Sequence, residues 1–407
     1  MRIAYVTESF PPDVNGVAHT AVRVAEHLTA CGHEPLVIAP EPARGQSHPD
    51  GTLGYPVVRV PSMAIPVYRD LRVGLPGPRV AAALQAHHAD LVHLAGPFIL
   101  GAAGCAAARR LGMPMVAVYA TDMAAYARAY GTGPLGQRVC WRRLRKLHNA
   151  AGRNLAPSHA SAADMREHGI ERVQVWGRGV DTIRFHPGRR SAELRARLAP
   201  GGEVIAGYVG RLAPEKRLDL LGQVAGLPGV RVVVTGGGPA EAAARRALPG
   251  AEFLGQRQGD DLATIYASLD VFVHSGPHET FGNTLQEAAA SGLPVVAPAA
   301  GGPLDLVDDG VTGFLVAPGD AAALAGAVAR LAADPALRAA QGHAARAAVA
   351  GRSWPARCDE LIGHYREVLE AGTPAAVPRA PVRAAPAAPV SAATPSTTPA
   401  PTAGARA

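Results

Sequence analysis

Short, uninterrupted apolar segments recur along this chain, and each is followed by a turn and then by a helical stretch. In the first half, strands are predicted at Ile3–Thr7, Leu36–Ala39, Val57–Val60, Leu91–Leu94 and Met115–Tyr119. Strands of a parallel sheet are covered by helices on both faces, so they read as continuous apolar runs rather than as alternating ones. A chain with this pattern is predicted to form a doubly wound α/β sheet.

The same order of elements restarts after residue 200. Strands are predicted there at Val204–Val209, Val230–Thr235, Ala251–Leu254, Val271–His274 and Val295–Ala297. A chain of 407 residues exceeds the size at which one core keeps growing. The predicted fold class is therefore α/β with two Rossmann-like doubly wound domains that face each other across a cleft, where ligands bind at the carboxyl ends of the strands.

Composition and pattern divide the chain into four parts. Residues 1–185 are predicted to form the amino-terminal domain and residues 186–352 the carboxyl-terminal domain, with the polar segment Arg178–Pro200 as the hinge. An amphipathic helix in residues 353–372 is predicted to pack back on the amino-terminal domain. Residues 373–407 are nearly all Pro, Ala, Thr, Ser and Val, with no hydrophobic period, and they are predicted to be disordered.

The segment from His278 to Glu287 carries the strongest chemical signal, because it joins a predicted strand to a helix that begins near Asn283. Backbone N–H groups at a helix start form a ready anion site, here at Phe281, Gly282, Asn283 and Thr284. Glu279 and Glu287 flank this site, and carboxylates accept hydrogen bonds from neutral hydroxyls. We predict a pyrophosphate at the N–H groups, with sugar hydroxyls at one carboxylate and ribose hydroxyls at the other. A plain preference of glutamate for a helix start is the alternative.

A second motif, Gly210 to Lys216, directly follows the predicted strand Val204–Val209. Gly210 lets the chain turn, and Arg211 and Lys216 project near the carboxyl end of the strand. Two cations there would neutralise a diphosphate and stabilise it as a leaving group. Lysine occurs only twice in the chain, at Lys146 and Lys216. A solvated pair at a helix start is the alternative, although the helix dipole disfavours cations there.

Three weaker observations bear on ligands. Gly16 in the first loop permits close backbone approach to a ligand, or belongs to an ordinary turn. Gly236-Gly-Gly-Pro239 departs from the dinucleotide fingerprint, since the third glycine would fall on Glu241, so a nicotinamide cofactor is not favoured. The sequence contains no Asp-x-Asp, so we expect no metal and no resident cofactor, only a nucleotide-diphosphate sugar as co-substrate.

Together these motifs resemble glycosyltransferase family 4, a family of retaining enzymes with the GT-B fold. The resemblance extends from the first strand to about residue 370. It is carried by Glu279 and Glu287 with seven residues between them, and by Gly210–Lys216, Arg178–Pro187 and Gly301–Gly310. Within the family the chain looks most similar to actinobacterial GDP-mannose-dependent α-mannosyltransferases that act on lipid acceptors, through Val92–Phe98, Leu147–Asn149 and Trp176–Asp181.

The resemblance implies a retaining hexosyltransferase with an acceptor-side amino-terminal domain and a nucleotide-sugar-binding carboxyl-terminal domain. Gly16 would approach the diphosphate or the sugar, and Arg211 and Lys216 would hold the diphosphate. Glu279, with the amides of Phe281, Gly282, Asn283 and Thr284, would hold the hexose and phosphate, and Glu287 would bind the ribose. The implied catalytic residues are Glu279, Arg211 and Lys216.

The chain departs from the family at Ala120, where many members have a histidine that contacts the transferred sugar. Three alternatives therefore stay open. One is a UDP-hexose-dependent transferase that acts on a soluble or natural-product acceptor. Another is a nucleotide-sugar-binding protein without transfer activity. The third is a GT-B epimerase, which the glutamate spacing disfavours.

Charge is distributed unevenly along the chain. Residues 1–180 carry a balance of +7, residues 181–372 a balance of −3, and the last 35 residues add three arginines. Five bases with no acid between them are predicted to form a helix face that docks on anionic lipid, with Trp141 at the interface: Arg138, Arg142, Arg143, Arg145 and Lys146. A solvated face, or one that receives an anionic soluble acceptor, is the alternative.

Other features bound the cellular setting. The sequence shows no motif for nucleic-acid binding. The four cysteines lie far apart, as in a reduced protein. The amino terminus reads as a strand rather than as a signal peptide. We therefore expect a cytoplasmic protein, peripheral on the inner face of the cell membrane.

Overall fold

The computed structural model describes residues 1–43, 45–46, 50–65, 68–122 and 133–372. The tail predicted to be disordered, residues 373–407, lies outside the described residues. No described helix combines the length and the apolar character that crossing a bilayer requires.

The first half of the chain forms a seven-stranded parallel sheet in the order β3-β2-β1-β6-β7-β8-β9, and β4 and β5 form a separate antiparallel pair. The strands are β1 Arg2–Val6, β2 Glu34–Pro40, β3 Val57–Val60, β4 Ser62–Ile65, β5 Tyr68–Gly74, β6 Leu91–Leu94, β7 Met115–Val118, β8 Arg153–Ala156 and β9 Val173–Val175. The helices are α1 Gly16–Ala30, α2 Pro78–Ala86, α3 Ile99–Leu111, α4 Gly133–His148 and α5 His159–Glu167, and Asp50–Thr52 is a 3₁₀ turn.

The second half forms a six-stranded parallel sheet in the order β12-β11-β10-β13-β14-β15. Its strands are β10 Val204–Val209, β11 Val230–Thr235, β12 Glu252–Gly255, β13 Val271–Val273, β14 Val295–Pro298 and β15 Gly313–Val316. Its helices are α6 Ala192–Leu198, α7 Gly222–Ala225, α8 Glu241–Ala247, α9 Gly259–Ser268, α10 Asn283–Ala290, α11 Pro303–Leu306, α12 Ala321–Ala333 and α13 Pro335–Val349. Short 3₁₀ segments lie at Pro187–Arg189, Pro214–Lys216 and Leu218–Leu221.

Both faces of the first sheet are buried, which explains the continuous apolar runs. In β1, Ile3 and Tyr5 belong to one hydrophobic cluster, whereas Ala4 and Val6 belong to the cluster on the opposite face. Successive strand residues point to opposite faces, so a strand covered on both sides needs an apolar residue at every position. The prediction of two doubly wound parallel sheets is confirmed.

The last described helix, α14 Trp354–Glu370, packs against the first sheet. Trp354, Leu361 and Tyr365 lie in the same buried cluster as Ile3 and Tyr5. The helix therefore returns from the second half of the chain to cover the first. The segment predicted as a hinge contains α6, and the domain boundaries stay a prediction.

Candidate functional site

Two loops meet at the carboxyl edge of the second sheet. Strands β10 and β13 are parallel neighbours, with Ala206 beside Val271, so the loops that follow them leave the same edge side by side. The first loop begins at Gly210, whose φ of 156° suits glycine, and a side chain there would meet the Tyr208 hydroxyl at 2.9 Å. The loops that carry Lys216 and Glu279 are thereby brought together.

Lys216 and Glu279 form an ion pair between these two loops. The Lys216 ammonium donates to Glu279 Oε2 at 2.7 Å, and only 16% and 19% of the two side chains are exposed. The backbone of the pair is fixed as well, because the Ser275 hydroxyl donates to the Lys216 carbonyl at 2.8 Å. The structure thus places two of the predicted catalytic residues in direct contact.

The environment of Glu279 keeps its carboxyl group ionised. Burial alone would raise the pKa of Glu279, but the charge of Lys216, the neighbouring His274 and the Lys216 hydrogen bond together hold it below its usual value. His274 is itself buried, and burial together with the Lys216 charge lowers the pKa of its imidazole to about 4. At neutral pH the site therefore contains a carboxylate beside an uncharged imidazole.

Arg211 lies at the more open side of this site. Its guanidinium donates to the Glu215 carboxylate, and 41% of the Arg211 side chain is exposed. Both predicted cations are therefore engaged with carboxylates within the protein. A diphosphate that binds here would share them with Glu215 and Glu279.

The loop that carries Glu279 leads directly into α10. Gly282 is the cap residue of this helix, at a φ of 106°, and has no side chain to bond the first N–H groups. The Phe281 N–H donates to the Glu279 carboxylate. Gly301 and Gly302 pack against this loop. The Gly302 N–H donates to the Glu279 carbonyl at 2.7 Å, and a side chain on Gly302 would clash with the Phe281 carbonyl. The loop thus places a helix start beside Glu279, as the sequence suggested, and anion binding at this helix start stays a prediction.

Glu287 lies about one turn into α10 and is half-buried. The Tyr266 hydroxyl donates to its carboxylate at 2.9 Å. Burial raises the pKa of Glu287 to about 7, even though the Tyr266 hydrogen bond acts in the opposite direction. Glu287 can therefore exchange a proton near neutral pH, which the sequence did not suggest.

The first loop of the amino-terminal half reaches the start of α10. Asn15 caps α1, since its Oδ1 accepts from the Val17 and Ala18 N–H groups at 3.0 Å each. A side chain on the next residue, Gly16, would approach Asn283 Nδ2 to 2.8 Å. Gly16 thus provides space between the two halves of the molecule, directly beside the predicted phosphate site.

Arg178 is a functional candidate to which the sequence analysis assigned no role. Its side chain is buried, it donates to Thr20 Oγ1 at 2.7 Å, and its carbonyl accepts from Gln286 Nε2 at 3.0 Å. No carboxylate among the described residues forms a salt bridge with it. The only signal in the sequence was its place in the Arg178–Pro187 motif. Through these two hydrogen bonds Arg178 connects α1 to α10.

Ala120, at the position where many relatives have histidine, is half-buried at the end of β7. It packs against the hydrophobic cluster that contains Val118 and Trp176. A methyl group therefore stands where the resemblance would place an imidazole, and this position offers no side-chain hydrogen bond to a sugar.

The basic face predicted on α4 is exposed. All five cationic side chains lie on the surface, whereas Leu144 and Leu147 point into the core. The ring of Trp141 is half-buried and stacks on His168 at 3.8 Å, and its predicted place at a membrane interface stays a prediction. Leu135 and Val139 are the exposed apolar residues of this helix. The exposed bases are Arg138, Arg142, Arg143, Arg145 and Lys146.

Comparison with known sequences bears on both halves of the chain. Residues 14–184 match the family described as Glycosyltransferase Family 4, and residues 190–348 match Glycosyl transferases group 1. The chain is 49% identical over 370 residues to a GDP-mannose-dependent alpha-mannosyltransferase of Mycobacterium tuberculosis, with 90% of this chain and 97% of that one covered. It is 42% identical to a protein of the same name from Corynebacterium glutamicum, with 91% and 89% covered.

Solved structures share the fold. The Anabaena protein HepE in complex with UDP and glucose has a TM-score of 0.72 at 23% identity, with 90% of this chain and 99% of that one covered. Sucrose-phosphate synthase from Thermosynechococcus elongatus has a TM-score of 0.73 at 22% identity, with 91% and 100% covered. The two facing sheets thus correspond to the GT-B fold, as predicted. The chain is a glycosyltransferase and belongs to glycosyltransferase family 4.

Proposed function

We propose that this protein is a retaining mannosyltransferase that moves mannose from GDP-mannose to a lipid-linked or glycolipid acceptor. The observation that carries the proposal is the contact between Lys216 and Glu279. This contact lies beside the start of α10, whose cap residue Gly282 has no side chain, and Glu287 lies one turn further on. The relatives named for GDP-mannose-dependent transfer match about nine-tenths of the chain, and this supports the choice of donor.

The donor diphosphate would lie at the start of α10. Its oxygens would accept hydrogen bonds from the N–H groups of residues 281–284, at the positive end of the helix dipole. Arg211 and Lys216 would neutralise the charge that develops when the diphosphate leaves the sugar. Gly16 has no side chain, so the first loop can approach the phosphates closely. This machinery needs no metal ion.

The two glutamates would orient the ends of the donor. Glu279 is held as a carboxylate by Lys216, so it would accept hydrogen bonds from hexose hydroxyls next to the reacting carbon. Glu287 would accept hydrogen bonds from both ribose hydroxyls once it is ionised. Since Lys216 contacts Glu279, the residue that binds the leaving diphosphate would be hydrogen-bonded to the residue that binds the sugar. We assign Glu279, Arg211 and Lys216 as the catalytic residues.

The exposed bases of α4 would face the acceptor's membrane. Helix α4 belongs to the amino-terminal half, which forms the acceptor side in the proposed arrangement. Anionic headgroups would attract its five bases and hold the cleft near a lipid acceptor. The protein would then be peripheral on the inner face of the cell membrane.

Transfer assays with purified protein test this function. Radiolabelled GDP-mannose and UDP-glucose are each incubated with a lipid extract of bacterial membranes and, separately, with a soluble fraction. We expect label in the organic phase from GDP-mannose only, and none with Glu279→Gln. Label from UDP-glucose, or label in a soluble product, would replace the donor or the acceptor in the proposal. Binding of a nucleotide sugar without any transfer would show that the protein binds nucleotide sugars but is not a transferase under these conditions, and it would overturn the proposal.

A further inference from the structure

Three side chains of types that bind metals lie close together at the surface, at the carboxyl end of α1. His27 and Cys31 lie at the carboxyl end of this helix, and Asp359 lies on α14. His27 Nε2 is 2.7 Å from Asp359 Oδ1 and 3.4 Å from Cys31 Sγ, and the three ligand atoms all lie within 4.8 Å of one another. We propose that His27, Cys31 and Asp359 form a Zn²⁺ site that ties α14 to α1.

The helices themselves create this convergence. Residues four apart share one face of a helix, so His27 and Cys31 project to the same side. Helix α14 covers the same sheet as α1, and both contribute to one buried cluster, for example through Leu28 and Leu361. The packing that buries these leucines brings Asp359 against the His27 ring. The three ligands are therefore positioned by the core rather than by flexible loops.

The donor set matches the preferences of zinc. Zinc takes nitrogen, thiolate and carboxylate ligands tetrahedrally at about 2.0–2.3 Å, which sets its ligands roughly 3.3–3.7 Å apart. The observed separation of His27 and Cys31 falls in this range, and the His27–Asp359 contact has to open by about 0.6 Å. Asp359 is 65% exposed, so its side chain can make this movement and a water molecule can complete the coordination.

The charge balance also favours a divalent ion. Binding would release the Cys31 proton and leave a thiolate and a carboxylate around Zn²⁺, with neutral His27 as the third ligand. The cluster then carries no net charge. Without metal, the same geometry is an ordinary contact between His27 and Asp359, so the experiment has to separate these two roles.

Zinc binding here would stabilise the packing of α14 on α1, and this effect does not depend on the proposed donor chemistry. Helix α1 begins at Gly16 beside the candidate site, and His27, in its last turn, lies about 16 Å away along the helix axis. A zinc ion at that end would fix α14 on α1 without contacting the donor. Since an ion that binds only the folded chain stabilises it by mass action, zinc should raise the melting temperature of the protein.

The test uses the untagged full-length protein after removal of metals with a chelator. Zinc is titrated by calorimetry, the melting temperature is measured with and without zinc, and alkylation of Cys31 is followed by peptide mass spectrometry. We expect one zinc per chain, a rise of several degrees in melting temperature, and at least tenfold slower alkylation of Cys31. Mg²⁺ should produce none of these effects.

Variants separate a metal site from a surface contact. His27→Ala and Cys31→Ala should each abolish the zinc-dependent rise in melting temperature, whereas Cys140→Ala should keep it. Cys31→Ala should leave the melting temperature of the metal-free protein nearly unchanged, because its side chain is exposed. The absence of stoichiometric zinc binding would overturn the proposal. Equal zinc effects in the wild type and in the His27→Ala/Cys31→Ala double variant would overturn it as well.

Discussion

The Lys216 ammonium contacts the Glu279 carboxylate at 2.7 Å although 63 positions separate the two residues in the chain. Removing one partner of a buried ion pair costs about 3–5 kcal/mol, because the remaining charge is left without compensation. This pair retains some exposure, so we expect Lys216→Met to lower the free energy of unfolding by about 2 kcal/mol. The same variant should weaken GDP binding. Urea denaturation and calorimetric titration with GDP measure the two effects.

A double variant distinguishes the structural and the binding contributions of this pair. In Lys216→Met/Glu279→Gln neither member of the pair is left as a charge without its partner, so we expect most of the lost stability to return. Donor binding should stay weak, since the diphosphate still lacks its cation. If stability falls in Lys216→Met while GDP affinity stays at the wild-type level, Lys216 serves the fold alone and the donor assignment is wrong.

Glu287 predicts a pH dependence of donor binding. Burial raises the pKa of its carboxyl group to about 7, and ribose hydroxyls need the ionised form as a double acceptor. Affinity for GDP-mannose should therefore rise by about tenfold from pH 6 to pH 8 and then level off. The phosphodiester groups of GDP-mannose do not titrate in this range, and neither does His274, with a pKa near 4. Calorimetry at several pH values measures the affinity.

The Glu287→Gln variant is the control for this effect. Its affinity should be low at every pH, and the slope between pH 6 and 8 should disappear. Stability gives a second readout with the opposite sign. The folded protein holds the Glu287 proton more tightly than the unfolded chain does. The protonated group therefore stabilises the folded state at low pH, and this contribution to the free energy of unfolding is lost as pH rises from about 4.5 to about 7. An unchanged pH profile in Glu287→Gln would contradict the assignment.

Gly16 should be sensitive to the smallest substitution. A methyl group would lie 2.8 Å from Asn283 Nδ2, too close for a nonbonded contact, so the Asn283 side chain at the start of α10 must move. A displacement of about 1 Å in an active site can cost about 100-fold in rate, and we expect Gly16→Ala to lose kcat/KM on this scale. Gly77→Ala is the matched control, since a methyl group there meets nothing within 4 Å.

A second substitution separates two reasons for this glycine. Gly16→Ala/Asn283→Ala relieves the contact between the two halves but leaves the methyl group beside the diphosphate. If the diphosphate approaches Gly16 as proposed, the double variant should remain impaired. Full activity of the double variant would show that Gly16 only accommodates Asn283.

Transfer should not require a divalent metal. Arg211 and Lys216 can supply the positive charge that a metal ion provides to a leaving diphosphate. We expect the initial rate at 25 °C to be unchanged by EDTA, even if the chelator lowers the melting temperature by removing zinc from the surface site. An absolute dependence on Mg²⁺ or Mn²⁺ would refute this prediction.

The fold was predictable because most strands are continuous apolar runs that can be recognised in the sequence. Val57–Val60, Leu91–Leu94, Val204–Val209 and Val230–Thr235 have the predicted bounds. Strands β8 and β9 were missed because each is short and includes polar residues, namely Arg153, Asn154 and Gln174. They are recognisable only through their neighbours in the sheet.

The site was predictable in its parts but not in its connections. The spacing of Glu279 and Glu287 around a helix start predicted a phosphate site from local sequence alone. Their partners depend on which strands are neighbours and which helices pack together, so the contacts of Lys216 with Glu279 and of Tyr266 with Glu287 could not be read from the chain. Arg178 was overlooked for the same reason, since its role depends on burial between α1 and α10.

Helix α4 predicts salt-sensitive binding to anionic membranes. Arg138, Arg142 and Arg143 are exposed beside the exposed apolar residues Leu135 and Val139. Each base near an anionic surface contributes about 1 kcal/mol, so replacing these three arginines by glutamine should weaken binding roughly 100-fold. Sedimentation with vesicles of neutral and of anionic lipid, at low and at high salt, measures the binding. We expect binding to anionic vesicles only, and its loss at high salt.

The control must separate this surface from the general basicity of the chain. Exposed arginines elsewhere, at Arg109, Arg110 and Arg197, can be replaced by glutamine together, which changes the net charge by the same amount. If α4 is the docking surface, this control keeps wild-type affinity for anionic vesicles. Equal weakening in both triple variants would mean that net charge alone attracts the protein. Binding that persists at high salt would point to insertion of Leu135 and Val139 rather than to electrostatic docking. Negligible binding to every vesicle would remove the membrane from the proposal and favour a soluble acceptor.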